Sequence, residues 1–163
     1  MTPTELTIRK ARAEDYDAAC RLFDELDALH RDRLPWLFRA PMGTPRSEEF
    51  FAQLLSGDES ALWVAEAASI VGIAHAALHS APELAVFVPQ RWGVLDNLVV
   101  HPAWRRRGIG SLLVQAIEEW AFSQGASCVQ LGVYEFNAEA RRFYEALGYL
   151  PLRTVVRKAR QGV

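Results

Sequence analysis

The run Val99-Val100-His101-Pro102-Ala103-Trp104-Arg105-Arg106-Arg107-Gly108-Ile109-Gly110-Ser111-Leu112-Leu113 carries the residues best suited to binding an anion. It reads as a strand, a basic glycine turn and the first turn of a helix. The glycines let the backbone bend closely around a ligand, and the free N–H groups and positive dipole end of the helix point outward at it. A pyrophosphate fits that description. Leu113 stands where a dinucleotide-binding fingerprint needs a third glycine, and that fingerprint wants an acidic residue about 20 positions on inside a repeating strand-helix pattern that the chain lacks. No Gly-Lys-Ser/Thr follows as in a P-loop. The structural alternative is a tight strand-to-helix connection with solvated arginines.

Arg105-Arg106-Arg107-Gly108-Ile109-Gly110 resembles the [Gln/Arg]-x-x-Gly-x-[Gly/Ala] signature of the GNAT superfamily of acetyl-coenzyme A dependent N-acetyltransferases. About 30 residues downstream, Val133 to Tyr149 is similar to the family's later coenzyme segment: Asn137-Ala138-Glu139-Ala140 gives Asn-x-x-Ala, and Phe143-Tyr144 precedes Gly148-Tyr149 in Phe-Tyr-x-x-x-Gly-Tyr/Phe. More loosely, the resemblance runs from Thr7 to about Val156.

The resemblance implies that Arg105, Arg106, Arg107, Gly108, Ile109, Gly110 and Ser111 form the phosphate-binding segment, their backbone N–H groups holding the pyrophosphate. It implies that the pantetheine arm lies along Leu98, Val99 and Val100, at an exposed backbone edge between splayed strands, much as an added strand would. The N–H near Leu98 or Val99 then polarises the thioester carbonyl, a role worth on the order of 3 kcal/mol. Tyr144 matches the tyrosine that protonates the departing thiolate; as a residue type it equally suits a core aromatic beside Phe143 and Tyr149. Asn137 matches the asparagine that bonds the coenzyme arm, and it also stands where a helix N-cap belongs.

An amine with a lysine-like pKa near 10.4 spends about 4 to 5 kcal/mol reaching its neutral form at pH 7, which calls for a base or a water relay. Asp96, two residues before Leu98, is the candidate. An ordinary aspartate near 3.9 is a weak base, so burial must raise it or a water must intervene. A structural Asp96 bonded to nearby backbone is the other reading. Cys128, expected within a buried strand, is a poor acyl carrier, and direct transfer in a ternary complex follows.

These residues need elements to position them. Leu6 to Lys10 reads as a strand, and Glu14-Asp15 open a helix with Tyr16, Ala19, Leu22, Phe23, Leu26 and Leu29 on one face. Residues 31–46, with three prolines and Gly43, form an irregular loop, and a short helix runs from Ser47 through Leu55. Strands are expected at 61–66, 70–80 and 92–100, a helix at 108–124, a buried strand at 128–133, a helix at 138–147, and a last strand holding Val155-Val156. This predicts an α/β (α+β) fold, a mixed and mostly antiparallel twisted sheet of about six to seven strands with helices on both faces, as one domain over residues 1–163.

Composition narrows the partners. The 163 residues carry a formal net charge of −2, so the arginine cluster is local and nucleic acid is not expected. The N-terminus has no long apolar run and no stretch nears the roughly 20 residues of a membrane span, so a cytoplasmic location and no membrane contact are expected. Cys20 and Cys128 read as reduced core thiols. His75 and His79, about 13 Å apart on a strand, are too distant to share a metal ion.

The resemblance places the amine acceptor, a small molecule or a peptide, against Leu29–Phe51 and Glu83–Trp92. These segments hold Trp36, Phe38, Phe50, Phe51, Phe87 and Trp92 beside Asp32, Glu48, Glu49 and Glu83, which suits a cationic amine with an apolar body. The same residues equally suit core closure or a homodimer face. An acetyl-CoA dependent enzyme is the favoured reading, a catalytically silent acyl-CoA binding module the alternative, and a module for nucleic acid or phosphoprotein is disfavoured by the net charge.

Overall fold

Five strands form one open sheet in the order β1 (Thr7–Lys10), β2 (Ser60–Glu66), β3 (Ile70–Ser80), β4 (Arg91–Val100) and β5 (Val129–Leu131). Neighbours are antiparallel except β4 and β5, which are parallel. Four α-helices accompany them: α1 (Tyr16–Arg33), α2 (Glu48–Ser56), α3 (Ile109–Ser123) and α4 (Ala138–Ala146). The computed structural model describes residues 5–160, and the chain divides into two compact units, Met1–Gly132 and Val133–Val163. The N-terminal residues 1–4, read above for an apolar leader, lie outside the described residues.

In the first unit, the alternation of the strands sorts side chains to two faces. Leu62, Val64, Ile73 and Val99 pack with Ala19, Leu22 and Phe23 of α1 and Phe51 of α2 in one core cluster. Residues between them face α3. A Cβ on Gly72 would lie 3.0 Å from Leu113 Cδ1 and 3.3 Å from Ile109 Cγ2, so α3 packs directly on the β3 backbone there. Helices therefore cover both faces, as the apolar stripes of α1 and α3 predict.

The irregular 34–47 segment is tied to α1 by polar contacts. Arg46 pairs with both carboxylate oxygens of Asp27 at 2.6 and 3.1 Å, its carbonyl accepts the Tyr16 hydroxyl at 2.7 Å, and its guanidinium lies 4.3 Å from the Phe23 ring centre. Ser47 then caps α2, its Oγ accepting the Phe50 N–H at 3.2 Å. At the start of α1, buried Asp15 accepts two bonds from the Arg9 guanidinium and one from the Arg12 N–H, while Arg9 Nε also reaches Glu66.

Several expectations fail. The sheet has five strands rather than six to seven, and Val155-Val156 lie in no strand: residues 150–160 have no ladder partner among the described residues, and Leu150, Leu152, Val155 and Val156 are exposed. Strand propensity is mostly the packing of a half-buried pleated surface against partners, and this segment has none. β5 is also shorter than expected, leaving Cys128 just outside it; Cys20 and Cys128 are half-buried free thiols rather than fully buried ones.

In the second unit, Asn137 caps α4 by accepting the Ala140 N–H at 3.1 Å. The helix closes with Gly148 at φ 90°: its N–H donates to the Glu145 carbonyl and that of Tyr149 to the Tyr144 carbonyl, both at 3.0 Å. This Schellman closure brings the Tyr149 ring edge-on to Tyr144, centroids 5.6 Å apart, while Phe143 meets the same ring at 5.0 Å.

Candidate active site

β4 leads into the anion turn. After Val100 the chain makes a 3-10 turn, Pro102–Trp104, whose entry is fixed by His101 Nδ1 accepting the Ala103 N–H at 3.3 Å. Arg105 folds back so that Nε donates to the Val100 carbonyl at 2.9 Å, and the Arg107 guanidinium lies 4.9 Å from the Trp104 ring centre. Arg106 and Gly108 adopt left-handed φ values of 61° and 78° on either side of Arg107. Turns of this kind gather backbone N–H groups into concavities that suit anions.

Gly108 is the N-cap of α3. The first intrahelical bond runs from the Leu112 N–H to the Gly108 carbonyl at 3.1 Å, so the N–H groups of Ile109, Gly110 and Ser111 have no partner within the helix. No acidic side chain stands in that first turn. Arg105, Arg106, Arg107 and Gly108 are exposed, and a Cβ on Gly108 would meet nothing within 4 Å. Donors and cations without a competing carboxylate, around backbone that a ligand can approach, fit a diphosphate. Ile109 is buried in the core, so only its backbone is available to a ligand.

The strand that carries this turn is open on one side. β4 pairs with β3 over its whole length but with β5 only at Gly93–Leu95 against Val129–Leu131. From Asp96 to Val100, the stretch that includes Leu98, Val99 and Val100, it has no strand partner on the β5 side among the described residues. The cause is local. His75 pairs with Asn97 but Ala76 with Leu95, which leaves Asp96 as the extra residue of a β-bulge. A bulge bends its strand and re-aims a side chain, and the β5 pairing stops at Leu95.

The Asp96 carboxylate emerges from that bulge with 41% of its side chain exposed, and Oδ2 lies 3.5 Å from Nδ1 of His75, whose side chain is 10% exposed. Two positions from Ile73, His75 faces the α1 and α2 side of the sheet. Burial pushes its imidazole below the ordinary 6.5, with Asp96 opposing the shift, so it is neutral at pH 7. Nε2 is buried with no hydrogen-bond partner. In the sequence His75 stands out only as a metal candidate, because a bulge depends on the register of two strands and neither strand shows it alone.

In the second unit, Asn137 and Tyr144 lie at the N-cap and at the end of the second turn of α4. The Asn137 cap uses Oδ1 and leaves its amide nitrogen as a donor. Burial pushes the Tyr144 phenol up to about 12.

The acceptor residues divide. Trp36, Phe50 and Phe87 are exposed, whereas Phe51 closes the core. Phe38 stacks on His30 at 5.3 Å and Trp92 on His79 at 6.2 Å. An open groove of 520 Å³ runs along α1 between Tyr16, Asp17, Asp24 and Pro45, and takes no lining residue from β3 or β4.

A sheet edge opened by a bulge and continued by an anion turn on a helix N-terminus suits a ligand that joins an extended arm to a diphosphate. Residues 16–149 match the model of the acetyltransferase (GNAT) family, and the chain belongs to that family. It is 28% identical over 145 residues to an uncharacterised N-acetyltransferase of Bacillus subtilis, YhfO, covering 88% of this chain and 89% of that one. A bovine thialysine N-epsilon-acetyltransferase is 37% identical over 54 residues, about a third of each chain. The BH1408 protein of Bacillus halodurans, solved as a tetramutant, superposes with a TM-score of 0.88 at 24% identity over 94% of this chain and 99% of that one. An aminoglycoside N-acetyltransferase, AAC(6')-Iy, solved with CoA, reaches a TM-score of 0.71 at 18% identity over 95% and 99%. The protein is an acetyltransferase with acetyl-CoA as its cosubstrate.

Proposed function

We propose that the chain moves acetyl from acetyl-CoA to a primary amine by direct attack in a ternary complex, and that residues 1–163 work as one N-acetyltransferase domain. The observation that carries this reading is the unpaired β4 edge at Asp96–Val100, continuous in sequence with the phosphate turn at Arg105–Ser111. An extended arm bonded to that edge presents its thioester carbonyl to the N–H near Leu98 or Val99, beside Asp96.

Asp96 takes a proton from the acceptor ammonium, the freed nitrogen attacks the thioester carbon and gives up its second proton to solvent, and the carbon–sulfur bond breaks to leave a thiolate and the acetamide. An ordinary thiol titrates near 8.5, so full proton transfer from a phenol at about 12 is uphill by about 3.5 units, about 5 kcal/mol. Tyr144 therefore donates a hydrogen bond to the sulfur rather than surrendering its proton, which solvent supplies. Asn137 offers its amide nitrogen to the coenzyme arm.

The acceptor is a cationic amine on a small molecule, a lysine or a protein N-terminus, as the exposed Asp96 carboxylate and the thialysine-acetylating relative suggest. No helix among the described residues is long and apolar enough to cross a membrane, and we place the reaction in the cytoplasm. The test is thiol release from acetyl-CoA with a panel of polyamines, amino acids, aminoglycosides and short peptides. Acceptor-dependent release is expected. No release, with acetyl-CoA still raising the melting temperature, would replace the enzyme by an acyl-CoA binding module.

A further inference from the structure

We propose that residues 150–158 of one chain add as a sixth strand to the outer edge of β5 in a second copy, and that the reciprocal exchange makes the protein a symmetric dimer.

The donated strand is written in the chain after α4. Leu150, Leu152, Thr154 and Val156 alternate with Pro151, Arg153, Val155 and Arg157, the period of a strand with one apolar and one more polar face. Such a segment gains by lying on a sheet, yet Leu150, Leu152 and Val156 are 85%, 73% and 87% exposed, and residues 150–160 have no ladder partner among the described residues. Pro151, which has no N–H to give, stands at the start of the segment, where a strand tolerates it.

The receiving edge is β5. Among the described residues it ends the sheet, with a neighbouring strand on one side only. Its Val129, Gln130 and Leu131 are half-buried, whereas Val64 and Ile73 of the inner strands are wholly buried. A Cβ on Gly132, just past the strand, would meet nothing within 4 Å. An unpaired edge with half-covered apolar side chains is a template for another strand.

Each chain thus carries one free strand and one free edge, and its own sheet does not join them. A two-fold pair satisfies both at once and leaves no open end, which is what an isologous interface requires and a foreign partner does not supply. The BH1408 superposition covers 94% of this chain, leaving 6% of 163 residues, about ten, outside it. That is fewer than the residues from Leu150 to the C-terminus, so the shared fold reaches into this segment. Leu131 pairs with Leu95, the residue before Asp96, so an added strand lies two strand spacings, about 10 Å, from β4 on the side where the β4 edge opens.

The test uses the full chain. Light scattering on a size-exclusion column over a dilution series is expected to give twice the mass of one chain. Val156→Asp is expected to raise the dimer Kd about 100-fold, because the symmetric pair loses two buried valines. Val86→Asp, at a valine equally exposed in the connection between β3 and β4, is expected to leave that Kd unchanged. Methyl NMR on labelled and unlabelled wild-type chains refolded together is expected to show contacts between Val129 or Leu131 of one copy and Leu152 or Val156 of the other.

A single-chain mass at every concentration overturns the proposal, as does a dimer whose Kd a folded Val156→Asp leaves unchanged. Absence of those contacts between copies, or contacts that run only within one chain, overturns it whatever the mass. If both variants weaken the dimer, or either does not fold, the wild-type NMR decides alone.

Discussion

Replacing Gly108 by alanine separates the site from the fold. Gly108 holds φ 78°, where an L side chain costs about 1–2 kcal/mol. Its added Cβ touches nothing within 4 Å, so no clash adds to that cost. For a chain of this length the melting temperature should fall by about 3–6 °C. Gly125, beyond the other end of α3, has φ 82° and the same empty surroundings, so Gly125→Ala should cost the same. Only Gly108 stands where a diphosphate would meet the backbone. A methyl group there pushes the anion off the free N–H groups, each helix-end interaction being worth about 0.3–1 kcal/mol and up to about 2 when partly buried. Losing two or three of them, about 2–4 kcal/mol, weakens acetyl-CoA binding by about 30- to 1000-fold. Calorimetric titration with acetyl-CoA, beside a thermal melt of each variant, reads both effects. An unchanged Kd in Gly108→Ala would refute the phosphate assignment. Equal weakening in Gly125→Ala would refute the claim that the effect is local.

Tyr144→Phe should lower kcat by about 10- to 100-fold, the worth of a hydrogen bond that forms with the leaving group, and leave the acetyl-CoA Kd nearly unchanged; a wild-type rate makes the phenol a packing residue. Because burial holds that phenol near 12, the wild-type rate should show no loss from its ionisation through pH 10, where an ordinary tyrosine is half ionised. Arg9 holds the Asp15 carboxyl below the usual carboxylate range, so this pair's stabilisation is complete above about pH 4 and disappears as pH falls through the depressed value. Arg9→Met should therefore cost about 3 kcal/mol at pH 7 by leaving a buried unpaired carboxylate, and flatten the acid limb of a denaturation curve; an unaltered limb would place the acid sensitivity elsewhere.

The parts of the site that depend on local chain geometry were legible in the sequence. The turn at Arg105–Gly108, the N-cap at Asn137 and the glycine closure at Gly148 are each written in a few adjacent residues whose conformational demands are known. The spacing of Ile109, Leu112, Leu113, Ala116, Ile117 and Trp120 likewise announces the apolar face of α3, of which Leu112 turns out exposed. What the sequence did not show depends on partners far along the chain. The bulge at Asp96 is a mismatch between β3 and β4, and with it came the early end of β5 and the contact of His75 with a carboxylate. Val155-Val156 carry strand-forming residues but no ladder, because propensity specifies a surface and not its neighbour.

Most of the chemistry proposed here is done by backbone: an unpaired strand edge, N–H groups at a helix start, and a bulge that turns one carboxylate outward. Side chains enter such a site mainly as permission, through glycine at 108, a buried Ile109 that anchors α3, and Gly72 that lets α3 sit close on β3. Many sequences meet those permissions. That is a physical reason why a neighbour with 24% identity superposes at a TM-score of 0.88. We propose that acceptor choice resides in side chains, among them the exposed aromatics Trp36, Phe50 and Phe87. It follows that exchanging those three aromatics should redirect the acceptor profile without weakening acetyl-CoA binding, whereas any substitution that closes the β4 edge should abolish transfer to every acceptor alike.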